Sequence, residues 1–112
     1  MKIVKCESGN IMMLLKEVSD VSDKEIKANS VDAAFEKHVP QFEIHDNKVK
    51  IFVNHVMEEE HYIEWILVDY GDKQIIKHFM PGEEPVIEVK YSENMIAYSY
   101  CNKHGLWFDK IN

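Results

Sequence analysis

The amino-acid sequence predicts an all-β fold, an antiparallel sandwich or barrel, for two reasons. Several short segments alternate apolar and polar residues or are rich in β-branched and aromatic residues, as strands are. Turn signals separate these segments. The chain has 112 residues, of which 46% are hydrophobic, and this is enough to bury the core of one domain. Since the sequence has no internal repeat or linker, we expect one domain with at most a small N-terminal appendage.

The N-terminal third carries the weaker strand signals. Residues 1–16 predict a short strand, a turn at "SGN" and a second apolar segment. Residues 17–34 are polar and predict at most a short helical turn. "FEKHVP" follows, and Pro40 disfavours helix at Val39, because proline restricts the conformation of the residue before it.

Strand signals dominate the rest of the chain. The strand-like segments are, in order, "KVKIFV", "HYIEWILVDY", "KQIIKHF", "VIEVKY" and "MIAYSYC", with turns at Gly71-Asp72 and "MPGEEP". Strict alternation in the second segment predicts one face with His61, Ile63, Trp65 and Leu67, and another with Tyr62, Glu64, Ile66 and Val68. "EIHDNK" predicts an exposed turn.

Charge and composition exclude several classes of protein. The formal net charge is -7, and all 13 positive side chains are lysines. Nucleic-acid phosphates need concentrated positive charge, so this chain is not expected to bind nucleic acid. A small anionic substrate remains compatible, because the field near a site can oppose the net charge.

The cysteines and the apolar runs indicate the compartment. Cys6 and Cys101 are too few for a disulfide scaffold. No apolar run approaches the length of a membrane span, and "CESGN" interrupts the N-terminal apolar stretch, so no signal peptide is predicted. We therefore expect a soluble, cytoplasmic protein that does not bind a membrane.

Possible metal ligands lie where strands meet loops. Cys101 and His104 form C-x-x-H, a spacing that lets a thiolate at a strand end and an imidazole in the next turn reach one metal. Taken alone, this pattern is more often a buried cysteine beside a surface histidine. His55 and His61 flank "VMEEE", and a loop that returns into a strand can bring both inward. The glutamates between them, Glu58, Glu59 and Glu60, are expected to form a solvated turn.

His38 in "EKHVP" carries no signal alone, but it completes a set of four imidazoles and one thiolate. That is one donor more than a closed tetrahedral zinc site needs, and it suits the larger coordination number that iron accepts. His45 and His78 are left out of the set, because the first lies in the predicted exposed turn and the second in an alternating strand.

Three motifs, "EKHVP", "HVMEEEHYIEW" and "YCNKHGLW", resemble the superoxide reductase domain of desulfoferrodoxins and neelaredoxins, from about residue 29 to residue 108. The resemblance implies an immunoglobulin-like antiparallel β-sandwich and an enzyme that reduces superoxide to hydrogen peroxide by one electron. It implies one mononuclear non-haem iron per chain. The implied ligands are His38, His55, His61 and His104 in a plane, with Cys101 on the axis.

The resemblance also implies roles beside the iron. Lys37 would attract superoxide and order a proton-donating water, and Glu36 would bind ferric iron after peroxide leaves. Lys103, between two ligands, would either add to the local positive field or simply be exposed. The family's re-reduction by an external donor implies a partner, possibly a rubredoxin-like protein. A homo-oligomer, dimer or tetramer, is implied as well.

Two departures from the family pattern stand out. Val56 follows the second ligand histidine, where the family usually has proline. "KCESGN" resembles the start of a small domain that holds a second iron through four cysteines, yet only Cys6 is present there. We therefore predict that residues 1–28 are a vestigial desulforedoxin-like segment without its iron site, and that residues 29–112 form the catalytic domain.

Two alternatives belong to other classes of protein. Blue-copper electron carriers are also β-sandwiches, and they use two histidines, a cysteine and a weak axial methionine. No methionine follows His104, however, and two histidines would be left unexplained. A metal-free binding module would treat the donor set as incidental, and it predicts that chelators leave thermal stability unchanged.

Overall fold

The computed structural model describes residues 2–14 and 24–111. Within these ranges the chain is built of antiparallel strands and one short 3-10 turn, so the predicted all-β fold is confirmed. The strands are β1 Lys2–Lys5, β2 Ile11–Leu14, β3 Lys24–Glu25, β4 Gln41–His45, β5 Lys48–Phe52, β6 Ile63–Asp69, β7 Gln74–His78, β8 Val86–Lys90, β9 Ile96–Cys101 and β10 Gly105–Lys110. The 3-10 turn covers Phe35–Lys37.

Two sheets face each other as a sandwich. One has the strand order β10-β9-β6-β7 and the other β4-β5-β8. In β5, Val49 and Ile51 are buried between exposed lysines, which is the alternation of a sheet with one face on a core. Their partners come from the facing sheet, where Ile66, Val68 and Ala97 join the same apolar cluster. This core between the sheets ends at Cys101, which is fully buried.

A third, smaller sheet covers the outer face of the larger one. Its order is β2-β1-β3, and Ile3 of β1 packs with Trp65, Leu67 and Leu106. The predicted N-terminal strand, turn and second strand are therefore present as β1 and β2. The part of the predicted polar segment at residues 17–23 lies outside the described residues.

Strand β6, which follows the connection that contains His55 and His61, has a β-bulge. Ile63 pairs with Cys101 and Trp65 pairs with Tyr100, so Glu64 is an extra residue in β6. Ile63 therefore joins the core between the sheets, whereas Trp65 lies on the outer face. The prediction that Ile63 shares a face with Trp65 was wrong, because strict alternation has no place for the extra residue.

Three strands were not predicted. Lys24 and Glu25 form β3, within the polar segment for which at most a short helical turn was predicted, because they pair with Lys5 and Val4 of β1. The start of "EIHDNK" belongs to β4, and only its last residues turn, with Asp46 at a positive φ of 57°. "GLWFDK" forms β10, where Leu106 and Trp107 are both buried. Neighbouring residues are both buried here because both faces of this sheet are covered. The alternation of apolar and polar residues that predicts a strand is then absent. No helix of the described ranges is long and apolar enough to cross a membrane.

Candidate metal centre

Three connections at one end of the sandwich bring the predicted donors together. His38 follows the 3-10 turn, His55 and His61 lie in the connection from β5 to β6, and Cys101 and His104 flank the turn from β9 to β10. One ligand atom from each residue lies within 4.8 Å of the corresponding atoms of the others. The structure thus gathers all five donors that the sequence singled out.

The four imidazoles form a closed ring of neighbours. The centroid distances are 4.8 Å from His38 to His55, 4.5 Å from His55 to His61, 5.1 Å from His61 to His104, and 4.9 Å from His104 back to His38. Each ring is steeply inclined to its neighbours, at 68° to 90°. Such edge-on rings direct nitrogen atoms toward a shared centre.

The nitrogens at this centre approach one another closely. His38 Nε2 lies 3.0 Å from His104 Nδ1, and His55 Nε2 lies 3.5 Å from Cys101 Sγ. The Nε2 atom of His61 is buried and has no hydrogen-bond partner among residues 2–14 and 24–111. A buried imidazole nitrogen without a partner is costly in a protein interior, and a metal ion would satisfy it.

Two histidines are oriented by their second ring nitrogen. His38 Nδ1 lies 2.7 Å from the carbonyl oxygen of Ala34, and His55 Nδ1 contacts the carbonyl oxygen of Val56. A nitrogen that donates to a carbonyl must carry the proton, so Nε2 of each ring presents a lone pair to the centre. The backbone carbonyl of Val56 makes this contact, so valine in place of proline leaves the contact intact.

Cys101 ends β9 with its side chain directed into the core, and it is fully buried. The backbone N–H of His104 donates to Cys101 Sγ at 3.4 Å. A hydrogen bond to the sulfur draws electron density from it and so tunes its donation to a bound metal.

Aromatic rings and a buried serine support His38. Trp107 stacks on the His38 ring with centroids 4.8 Å apart and planes 23° apart, and its Nε1 donates to the carbonyl of His104. The exposed ring of Phe35 meets the edge of Trp107 at 6.1 Å. Ser99, fully buried on β9, donates from Oγ to the carbonyl of His38. Sequence reasoning missed these supporting roles, although "YCNKHGLW" contains Trp107.

Burial favours the neutral form of three of the four imidazoles. Burial lowers the pKa values of His38, His55 and His61 below the ordinary 6.5, and the neighbouring histidines lower them further. Neutral imidazole is the form that binds a metal, so these three rings are ready to act as ligands at neutral pH.

Glu36 and Lys37 lie in the 3-10 turn directly before His38, and both are exposed. Their charges reach the His38 ring with opposite sign, Glu36 raising its pKa and Lys37 lowering it. Lys103, also exposed, lowers the pKa of His61. These charged groups therefore lie at the rim of the cluster.

The two remaining histidines lie outside the cluster. His45 ends β4 and contacts Glu43 at 3.6 Å, and His78 ends the edge strand β7. Four nitrogens and one sulfur exceed a tetrahedral set, and this mixture of imidazole and thiolate fits iron.

Comparisons with known proteins find similar sequences and structures among desulfoferrodoxins and superoxide reductases. The sequence profile of the Desulfoferrodoxin family matches residues 30–110. The desulfoferrodoxin of Desulfarculus baarsii is 36% identical, with 96% of this chain and 94% of that protein covered. The crystal structure of the superoxide reductase from Treponema pallidum matches with a TM-score of 0.74 and 27% identity, covering 98% of this chain and all of that one (100%). A superoxide reductase (1Fe-SOR) from Giardia intestinalis matches with a TM-score of 0.58 and 29% identity, over 69% of this chain and 98% of that one.

Proposed function

Because the chain belongs to the desulfoferrodoxin family, we propose that it is a superoxide reductase with one iron per chain, held by the five clustered donors. The observation that carries the proposal is the convergence of four imidazoles and one thiolate at one end of the sandwich. The ligands are His38, His55, His61, His104 and Cys101.

The reaction consumes one superoxide, one electron and two protons, and it yields one hydrogen peroxide. Iron held by these residues would supply the electron, and an external donor would restore it. The fold keeps Cys101 away from solvent, and the His104 amide donates a hydrogen bond to its sulfur. Trp107 and Ser99 hold the first histidine of the set in place through its ring and its carbonyl.

Lys37 and Glu36 are proposed to serve the substrate side. The chain carries a net charge of -7, so an anion needs a local positive field to reach the centre. The Lys37 ammonium, next to His38 in the chain, supplies that field and orders a water that donates a proton. The Glu36 carboxylate is proposed as a further ligand that would hold the ferric form of the metal. Exposure of both side chains supports access to the substrate.

The remaining proposals concern partners and the N-terminal segment. An external electron donor, possibly rubredoxin-like, would serve the cycle, and the chain would work in the cytoplasm as a dimer or tetramer. Residues 1–28 are proposed to be a vestigial desulforedoxin-like segment, since Cys6 is its only cysteine. The blue-copper alternative is not favoured, because the cluster has four histidines rather than two.

The test is the yield of peroxide. Iron-loaded protein is given superoxide with excess reductant while peroxide and oxygen are followed. One peroxide per superoxide, with no oxygen released, is the expected result for a reductase. Half that yield with oxygen evolved would show dismutation at the same centre, and no acceleration would contradict the proposal. Lys37→Ala should slow the reaction and weaken its salt dependence, whereas Lys73→Ala, in the turn before β7, should do neither.

A further inference from the structure

Asn102 joins two of the loops that carry the clustered donors. Its side-chain Oδ1 accepts a hydrogen bond from the backbone N–H of Tyr62 at 3.0 Å, and its Nδ2 donates to the carbonyl of Glu60 at 2.9 Å. Its own backbone N–H donates to the carbonyl of Tyr62 at 3.2 Å. These contacts hold the chain on both sides of His61, from a residue that directly follows Cys101.

The His61 ring lacks the orienting contact to a backbone carbonyl that the rings of His38 and His55 have. The rings of His38 and His55 are held by Nδ1 contacts to backbone carbonyls, whereas no hydrogen bond from the described residues reaches a ring nitrogen of His61. In the part of the chain that the structure describes, the backbone of His61 pairs only with Glu58, within its own loop. The position of its ring relative to the sulfur is therefore set by whatever fixes this loop to the turn after β9.

We propose that Asn102 is a positioning residue of the metal centre, because its side chain fixes the His61 loop to the Cys101 turn. This inference rests on the proposed function, since it assumes that the cluster holds iron. A planar amide suits the task, because it offers an acceptor and a donor side by side. Aspartate at this position keeps the acceptor for Tyr62 but sets a second oxygen against the carbonyl of Glu60. Alanine removes both side-chain bonds and keeps the backbone one.

The test compares N102A and N102D with a matched control, N94A, an exposed asparagine in the turn before β9. Each protein is loaded with ferrous iron, and the release of iron to a chelator is timed. We expect release about 10-fold faster or more from N102A, since partners that orient metal ligands contribute on that scale, and a smaller increase from N102D. The thiolate-to-iron absorption band should shift in N102A, and N94A should match the wild type.

Thermal unfolding with and without iron separates positioning from simple support of the fold. A positioning role predicts that the rise in Tm on iron loading shrinks in N102A. An equal loss of Tm in both forms, with unchanged iron release and an unchanged band, would overturn the inference. If N102A does not fold, N102D decides the question by the same criteria.

Iron uptake and iron release by the wild-type protein show whether the inference fails alone or together with the proposed function. A wild-type protein that takes up no iron contradicts the proposed function. A wild type that binds iron and releases it no more slowly than folded N102A contradicts only the role of Asn102.

Discussion

Replacing Ser99 with alanine removes a single hydroxyl that joins β9 to the segment that contains His38. Ser99 is fully buried (0% exposed), and its Oγ donates to the carbonyl of His38, which lies 61 residues away in the sequence. The variant keeps the Cβ atom, but the carbonyl oxygen of His38 loses its hydrogen-bond donor. A buried acceptor that loses its partner costs about 1–3 kcal/mol. For a chain of this length, that corresponds to a fall in Tm of roughly 4 °C per kcal/mol.

Urea denaturation of the metal-free protein, followed by circular dichroism, measures this cost. We expect a lower midpoint with an unchanged m value, because the surface exposed on unfolding is the same. Ser92→Ala, at a half-buried serine in the turn before β9, is the matched control and should stay within about 0.5 kcal/mol of the wild type. A Ser99→Ala variant as stable as this control would refute the reasoning, because it would show that the bond to His38 makes no net contribution.

Two further predictions concern the ligands themselves. Cys101→Ser should abolish the thiolate-to-iron absorption band of the iron-loaded protein, and a band that survives would exclude Cys101 as a ligand. The metal-free protein should be less stable at pH 5.5 than at pH 7.5. The reason is that burial lowers the folded-state pKa values of His38, His55 and His61 below 6.5, so the unfolded chain binds more protons as the pH falls through that value. Urea midpoints at the two pH values measure this, and equal midpoints would show that the histidines titrate alike in both states.

The candidate site could be predicted from sequence because its donors lie in short motifs. Cys101 and His104 are three residues apart, and His55 and His61 are six apart, so local chain geometry limits where each pair can go. The strands with one buried face, such as β5, were also predictable, because apolar residues alternate with polar ones along them and the apolar residues face the core. The class of fold followed from these strands and from the turns between them.

The missed features depend on contacts between distant segments. The bulge at Glu64 is defined by the pairing of β6 with β9, and no local pattern marks an extra residue. β10 was missed because Leu106 packs under the N-terminal strands while its neighbour Trp107 meets His38. The amide of Asn102 has its role only because residues 60–62 lie beside it in the folded chain.

The chain has two tryptophans, and the fold gives them different surroundings. Trp107 stacks directly on the ring of His38, whereas Trp65 stacks on Tyr100 beneath the N-terminal strands. The emission of an indole in contact with a ligand ring is open to quenching by a bound transition metal. A Trp65→Phe protein would therefore carry a built-in fluorescent probe of metal occupancy, and Trp107→Phe would supply its less responsive counterpart. Titrating metal into the two proteins would follow the filling of the centre by light emission alone, without any added dye.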